Sequence, residues 1–185
     1  DGLSPLRSSH SDVSGGALPD RVSLQPLVGS PESLADRWRR MPRSTRFALG
    51  CAAGDSDDPV VLDLVVDGPH CLVGGTTGSG KSELLITMVA TLAAANRPDE
   101  LCFVLVDYKG GAAFGACRDL PHVVGLVTDL DPTGAGRAIT SLTAELKRRE
   151  SLLAARGCAD LTAYQRVCRD GDPRIPRLVL MIDEF

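Results

Sequence analysis

The sequence predicts an α/β fold in which a mostly parallel sheet is flanked by helices and preceded by a β-hairpin. Three observations carry that expectation. Short apolar runs alternate with stretches whose apolar residues recur at helical spacing. A glycine-rich loop, Gly75-Thr76-Thr77-Gly78-Ser79-Gly80-Lys81-Ser82, stands between one such run and one such stretch. Acidic residues close two later runs, at Asp107 and at Asp183-Glu184. With 185 residues and 43% apolar content, the chain suits one domain able to bury a core.

Residues 1–30 are rich in Ser, Gly, Pro and Asp without periodicity and read as a flexible linker, which leaves 31–185 as the domain. Within the linker, Leu24, Leu27 and Val28 are placed to tack onto the domain. A short helix is expected over 31–38, with Ser30 as its cap and Pro31 at its first position. Arg37, Arg39, Arg40, Arg43 and Arg46 crowd around Trp38. They form either a solvated helix face, the usual meaning of a charge run, or a polymer-binding patch. Two apolar runs, 47–51 and 60–66, flank a polar turn and predict the hairpin.

The run 70–74 is short and apolar, as in a buried parallel strand, and a helix starts close to Lys81 because Leu85, Met88, Val89 and Leu92 recur at helical spacing. Asn96 and Pro98 supply its stop signals. Strands are expected over 101–107 and 123–128. A long helix then runs from Asp131-Pro132 to Gly157, with Ile139, Leu142, Leu146, Leu152 and Leu153 on its apolar face. A short helix over 161–168 and a strand over 177–184 complete the order, and strands alternating with helices argue for a parallel sheet covered on both faces.

The eight residues Gly75 to Ser82 read G-x-x-x-x-G-K-[ST], a phosphate-cradling loop. Its glycines let the backbone curl around a triphosphate with N–H groups pointing inward, and the helix N-terminus adds partial positive charge beneath the same phosphates. Gly75, Thr76, Thr77, Gly78, Ser79, Gly80, Lys81 and Ser82 are therefore the expected ATP contacts, with Lys81 reaching the β- and γ-phosphates and Ser82 ligating Mg²⁺. Ligands of open α/β sheets sit beyond the carboxyl ends of strands, so Asp107, Asp183 and Glu184 are all placed to face those phosphates. Asp183 suits Mg²⁺ and Glu184 suits orienting and deprotonating the attacking water. The stretch Asp107-Tyr108-Lys109-Gly110-Gly111 reads equally well as a loop near bound nucleotide and as a plain exit from a strand.

Composition bounds the remaining classes. A net charge of −4 gives no global argument for nucleic acid. The six cysteines contain no C-x-x-C pair and several lie in apolar runs, as expected of reduced core residues. No apolar run approaches the roughly 18 residues of a membrane helix. The first residue is not Met and the last follows directly on an apolar run, so the sequence reads as an excerpt of a longer protein.

Taken together, Gly74 to Glu83, then Val106-Asp107-Tyr108-Lys109-Gly110-Gly111-Ala112-Ala113-Phe114, then Asp183-Glu184-Phe185 resemble the FtsK/SpoIIIE family of motor ATPases. Leu120-Pro121-His122-Val123 and Glu145-Leu146-Lys147-Arg148-Arg149 look closest to its EccC branch, the motors of type VII secretion. The resemblance implies a RecA-like core, here lacking its C-terminal part. It also implies a ring, usually a hexamer, on the cytoplasmic side of the membrane and attached to it through regions outside this chain. It implies ATP hydrolysis coupled to moving a polymer: small helical secreted proteins in the EccC branch, double-stranded DNA in the DNA translocases. A nucleotide-dependent assembly module without hydrolysis is the alternative class. In such rings a neighbour commonly supplies an arginine to the γ-phosphate, and Arg137 aligns with an arginine placed similarly in the EccC branch, against the plainer reading of a surface helix arginine.

Overall fold

The computed structural model of the chain describes residues 23–28, 30–40, 44–51, 59–107, 113–128, 132–169 and 171–183. The elements in order are α1 Gln25–Val28, α2 Pro31–Arg40, β1 Arg46–Cys51, β2 Pro59–Asp63, α3 Lys81–Ala95, β3 Leu101–Asp107, β4 Val123–Val127, α4 Pro132–Ala155, α5 Leu161–Val167 and β5 Arg177–Asp183. The α/β alternation and the N-terminal hairpin are as the sequence predicts. Most of the expected linker lies outside the described residues, and α1 is a short helical turn within its C-terminal part.

The centre is β3, with β4 and β5 running parallel to it on either side in the order β4-β3-β5. A strand flanked on both edges and both faces should be apolar along its whole length rather than alternating, and Leu101-Cys102-Phe103-Val104-Leu105-Val106 is. Leu101, Phe103 and Leu105 cluster with Met181 of β5 and with Leu85, Met88, Val89 and Leu92 of α3. The antiparallel hairpin β1–β2 adds Phe47 to the same cluster. The apolar residues of α3 surround much of its circumference, as expected of a helix held between a hairpin and a sheet.

Local chemistry sets the boundaries. β2 stops at Asp63 rather than continuing to Val66, because the Asp63 carboxylate accepts the amides of Val65 and Val66 and turns the chain out of the ladder. The Thr45 hydroxyl, 2.5 Å away, and these amides hold the Asp63 pKa below the ordinary carboxylate value. Asn96 ends α3 and is fully buried. Its amide donates to the Leu92 and Ser44 carbonyls at 2.8 Å and its oxygen accepts from Ser44 N, tying helix to hairpin. Gly157, at φ 62°, closes α4, and the amide of Cys158 reaches back to the Leu153 carbonyl. The Asp160 side chain caps α5 through the Ala163 amide.

Two expectations fail here. The run 70–74 is not a strand: its backbone enters no ladder among the described residues, and Leu72 is 81% exposed. A buried parallel strand needs a neighbour to accept its amides, and β5, the nearest parallel edge, is separated from it by an open groove. The sheet is also not fully covered on both faces, since Leu180 and Ile182 of β5 are 45% and 41% exposed. The cysteines divide: Cys102 and Cys117 are buried, but Cys158 and Cys168 are only partly covered and Cys71 is exposed. These five, the cysteines whose side chains are described, form no disulfide.

The arginine-rich N-terminal helix serves as a solvated face with one anchored edge. Arg39 pairs with Asp36 in solvent and Arg37 donates to the Val28 carbonyl. Trp38 faces inward, its indole N–H shared between the Ala93 and Ala94 carbonyls at 3.2 Å and its ring edge-on to His122 at 5.5 Å. His122 is 1% exposed. Its Nε2 lies 2.8 Å from the Asn96 carbonyl, an acceptor only, so Nε2 carries the proton. Nδ1 is buried and has no hydrogen-bond partner among the described residues. Burial pushes the His122 pKa below its ordinary 6.5, and only partly does the Asn96 carbonyl oppose this. A depressed folded-state value means the unfolded chain takes up the proton first, so stability is complete above pH 6.5 and is lost as pH falls below it. Urea midpoints are expected to fall between pH 7.5 and pH 5.5 in the native chain. In His122→Gln, which keeps a donor and cannot titrate, that part of the fall should vanish.

Candidate functional site

The loop 74–80 connects the irregular segment 70–73 to α3, and its conformation follows from its glycines. Gly78 and Gly80 adopt φ of +77° and +88°, a region in which a Cβ is strained. Gly75 meets its neighbours more closely: a Cβ there would lie 2.4 Å from Ser79 Oγ. Gly80 is also the N-cap of α3 and offers no side chain to the first helical amides. Those amides have no partner within the helix by construction and are left for a ligand. Gly80→Ala is expected to lower stability by about 1–2 kcal/mol from backbone strain alone, since its Cβ would meet nothing within 4 Å. Gly74→Ala, equally uncrowded and without the positive φ, should be near neutral in the same thermal melts.

Lys81 opens the helix, and its ammonium turns back to donate to the Gly75 and Thr76 carbonyls at 2.8 and 3.1 Å. One residue on, Ser82 Oγ donates to Asp183 Oδ2 at 3.1 Å, joining positions 101 apart in sequence. Asp183 is the last residue of β5, so the carboxyl tip of an apolar strand meets the first turn of the helix after the loop. Lys81 and Asp183 both line a groove of about 760 Å³, walled by residues 69–73 on one side and β5 on the other, with Leu85 and Met88 of α3 as its floor. A hydroxyl and a carboxylate in contact form a hard-oxygen pair of the kind that suits Mg²⁺ with water in its remaining positions. Among the described residues no group of three or more His, Cys, Asp or Glu is arranged to hold a metal, so such an ion would depend on ligands beyond these two.

Of the other expected residues, Thr76, Thr77 and Ser79 lie exposed in the loop. Arg137 is exposed early in α4. Glu184 and the stretch Tyr108 to Ala112, with Lys109, lie outside the described residues. Asp107 lies at the carboxyl tip of β3, paired with Asp183 in the ladder. It is 1% exposed and its Oδ2 accepts from the Ala113 amide at 2.8 Å. The apolar pattern of β3 gave no sign of this, because the partner lies beyond two glycines. Farther along α4, Glu145 is gripped by Arg148 and Arg149 at 2.7 Å, the Arg148 hydrogen bond first among the causes that hold its pKa down to about 2. Arg149 also reaches the Pro176 carbonyl and so ties α4 to the start of β5. The Glu145-to-Arg149 motif therefore docks a helix.

The FtsK/SpoIIIE family pattern matches residues 33–182, from α2 through β5. The chain belongs to the FtsK/SpoIIIE family. Among curated relatives it is 35% identical over 178 residues to the type VII secretion system protein EssC of Staphylococcus aureus, and 34% identical over 179 residues to the ESX secretion system protein YukB of Bacillus subtilis. Each alignment covers 91% of this chain, and the chain spans about 12% of the length of those relatives. Among solved structures, the cytoplasmic domain of the Thermomonospora curvata type VII secretion ATPase EccC superposes with a TM-score of 0.78 at 34% identity. That match covers 90% of this chain and 21% of that one. A second structure, ATPases 2 and 3 of the same EccC in complex with a signal sequence peptide, gives 0.66 at 28% identity, over 78% of this chain and 27% of that one. This FtsK/SpoIIIE chain thus has the fold of an EccC ATPase domain. Among its described residues no helix is long and apolar enough to cross a membrane.

Proposed function

We propose that this chain is the ATP-binding and ATP-hydrolysing motor domain of a type VII secretion translocase. The observation that carries the reading is the Ser82–Asp183 contact at 3.1 Å, which brings the end of the phosphate loop against the acid of a distant strand. Gly75 to Ser82 hold the triphosphate through backbone amides, and Lys81 exchanges the Gly75 and Thr76 carbonyls for the β- and γ-phosphates. Ser82 and Asp183 hold Mg²⁺. That ion, when bound, neutralises charge on the phosphates. Glu184, next after Asp183, orients and deprotonates the attacking water. Arg137 of one subunit reaches the site of its neighbour in a ring, a hexamer by family analogy, and offsets charge on the γ-phosphate. The relatives are secretion proteins, and one similar structure holds a signal sequence peptide, so the translocated polymer is protein rather than double-stranded DNA. The domain works on the cytoplasmic side of the membrane, like the cytoplasmic EccC domain it resembles.

The test is ATP turnover by the complete polypeptide beside its Lys81→Ala and Glu184→Gln variants. Loss of turnover in both is expected, with nucleotide still bound by Glu184→Gln. Equal rates in all three would dismiss the motor reading. The isolated chain should turn over ATP poorly, because a neighbour's arginine is absent from a monomer, and robust monomeric activity would contradict the role given to Arg137.

A further inference from the structure

Two neighbouring arginines of α4 share one carboxylate and differ in what else they do. The Arg148 side chain is 50% exposed, whereas that of Arg149 is 13% exposed and turns towards the sheet. Arg149 Nε donates to Glu145 Oε1 at 2.7 Å, and Nη1 donates to the Pro176 carbonyl at 2.7 Å. Pro176 immediately precedes β5, and the next amide, Arg177 N, donates to the Glu100 carbonyl at 2.8 Å where the ladder with β3 begins. Arg149 also bears on Cys102 of β3: burial raises that thiol's pKa, and the guanidinium opposes the rise. One side chain thus joins the second half of α4 to the starts of two central strands.

Elsewhere α4 meets its surroundings less firmly. Ile139 and Leu146 are 65% and 55% exposed, and Leu142, Leu152 and Leu153 are only partly covered. Apolar contact is non-directional and lets a helix roll on its seat. Two hydrogen bonds from one planar guanidinium resist that roll. We infer that Arg149 is a positioning residue for Arg137: by locking α4 against the start of β5, it sets where the Arg137 guanidinium is presented. This rests on the reading of Arg137 as the arginine offered to a neighbouring subunit. The two residues lie on one helix, 12 positions apart, so Arg137 stands about 18 Å along the axis from the clamp. A roll of about 10° carries a charge roughly 8 Å from that axis by about 1 Å, and a misplacement of that size costs on the order of 100-fold in rate. Glu145 belongs to the same device, since its carboxylate holds the Arg149 fork from within the helix and directs it at Pro176.

The experiment compares the complete polypeptide with its Arg137→Ala, Arg149→Ala and doubly substituted variants. For each, kcat, KM, equilibrium binding of a fluorescent ATP analogue and melting temperature are measured. Arg149→Ala is expected to lower kcat by about 10–100-fold with KM and analogue binding unchanged. The double variant should be no slower than Arg137→Ala alone, because a group already absent loses nothing by being misplaced. Mixed subunits give an independent reading. Lys81→Ala subunits, inactive themselves, still present a well-placed Arg137, and adding them to Arg149→Ala subunits should restore turnover. If Arg149→Ala melts at a much lower temperature, Arg149→Lys carries the same comparison, because its single ammonium keeps the charge without the fork that spans both acceptors. Native kcat in Arg149→Ala, additive losses in the double variant, or no recovery on mixing overturns the inference and leaves Arg149 as a strut of its own subunit. Native kcat in Arg137→Ala overturns both this inference and the arginine reading beneath it.

Discussion

Replacing Lys81 by alanine is expected to lower kcat/KM for ATP by about 10²–10³-fold, the usual consequence of deleting one oriented charge at a site where negative charge develops. The fold should survive the change. Lys81 Nζ is exposed to solvent where it donates to the Gly75 and Thr76 carbonyls, so water replaces it there and the melting temperature should move little. Activity and stability therefore separate in this variant, which distinguishes a ligand-binding lysine from one that merely stitches its own loop. Lys81→Arg should not restore function. A planar fork cannot enter a loop sized for a compact ammonium as a point charge can, although it keeps the sign. Native nucleotide affinity in Lys81→Ala, measured by equilibrium binding, would remove the foundation of the proposed function.

Phe103→Ala should act in the opposite way, through the fold rather than the site. Phe103 is 0% exposed in the central strand, between β4 and β5, and belongs to the cluster of Leu92, Val89 and Met181. Removing a fully buried phenyl ring costs about 3–5 kcal/mol, because transfer and cavity terms add. Against a total of roughly 5–15 kcal/mol for a domain, that is enough to leave a large share of molecules unfolded at 37 °C. The ring also lies 6.3 Å from His122, so its loss loosens the contact through which Trp38 anchors α2. Urea unfolding measures the effect directly, and a loss below about 1 kcal/mol would mean that the cluster closes over the gap.

How far the sequence disclosed this molecule depends on the range of the interactions involved. The loop, the helix after it and the three parallel strands were legible because each is written in adjacent residues: glycines at fixed intervals, apolar residues at period 3.6, unbroken apolar runs. Asp183 was legible as a strand end, and only the fold shows it meeting Ser82. The run 70–74 misled, since apolar character signals a buried strand only where a neighbour supplies hydrogen bonds, and pairing is not written locally. The contacts of Asp107 and His122 were not legible for another reason. Their partners, the Ala113 amide and the Asn96 carbonyl, are backbone groups, which every residue carries and no sequence pattern marks.

Among the described residues β5 lies at the margin of the sheet, with Leu180 and Ile182 half uncovered, and a strand in that position has one row of main-chain donors and acceptors outside the ladder. Such a border recruits any extended peptide that comes near, including another molecule of the same kind. Purified by itself, the chain should therefore self-associate as its concentration rises, and a charged residue in place of Ile182 should keep it dispersed.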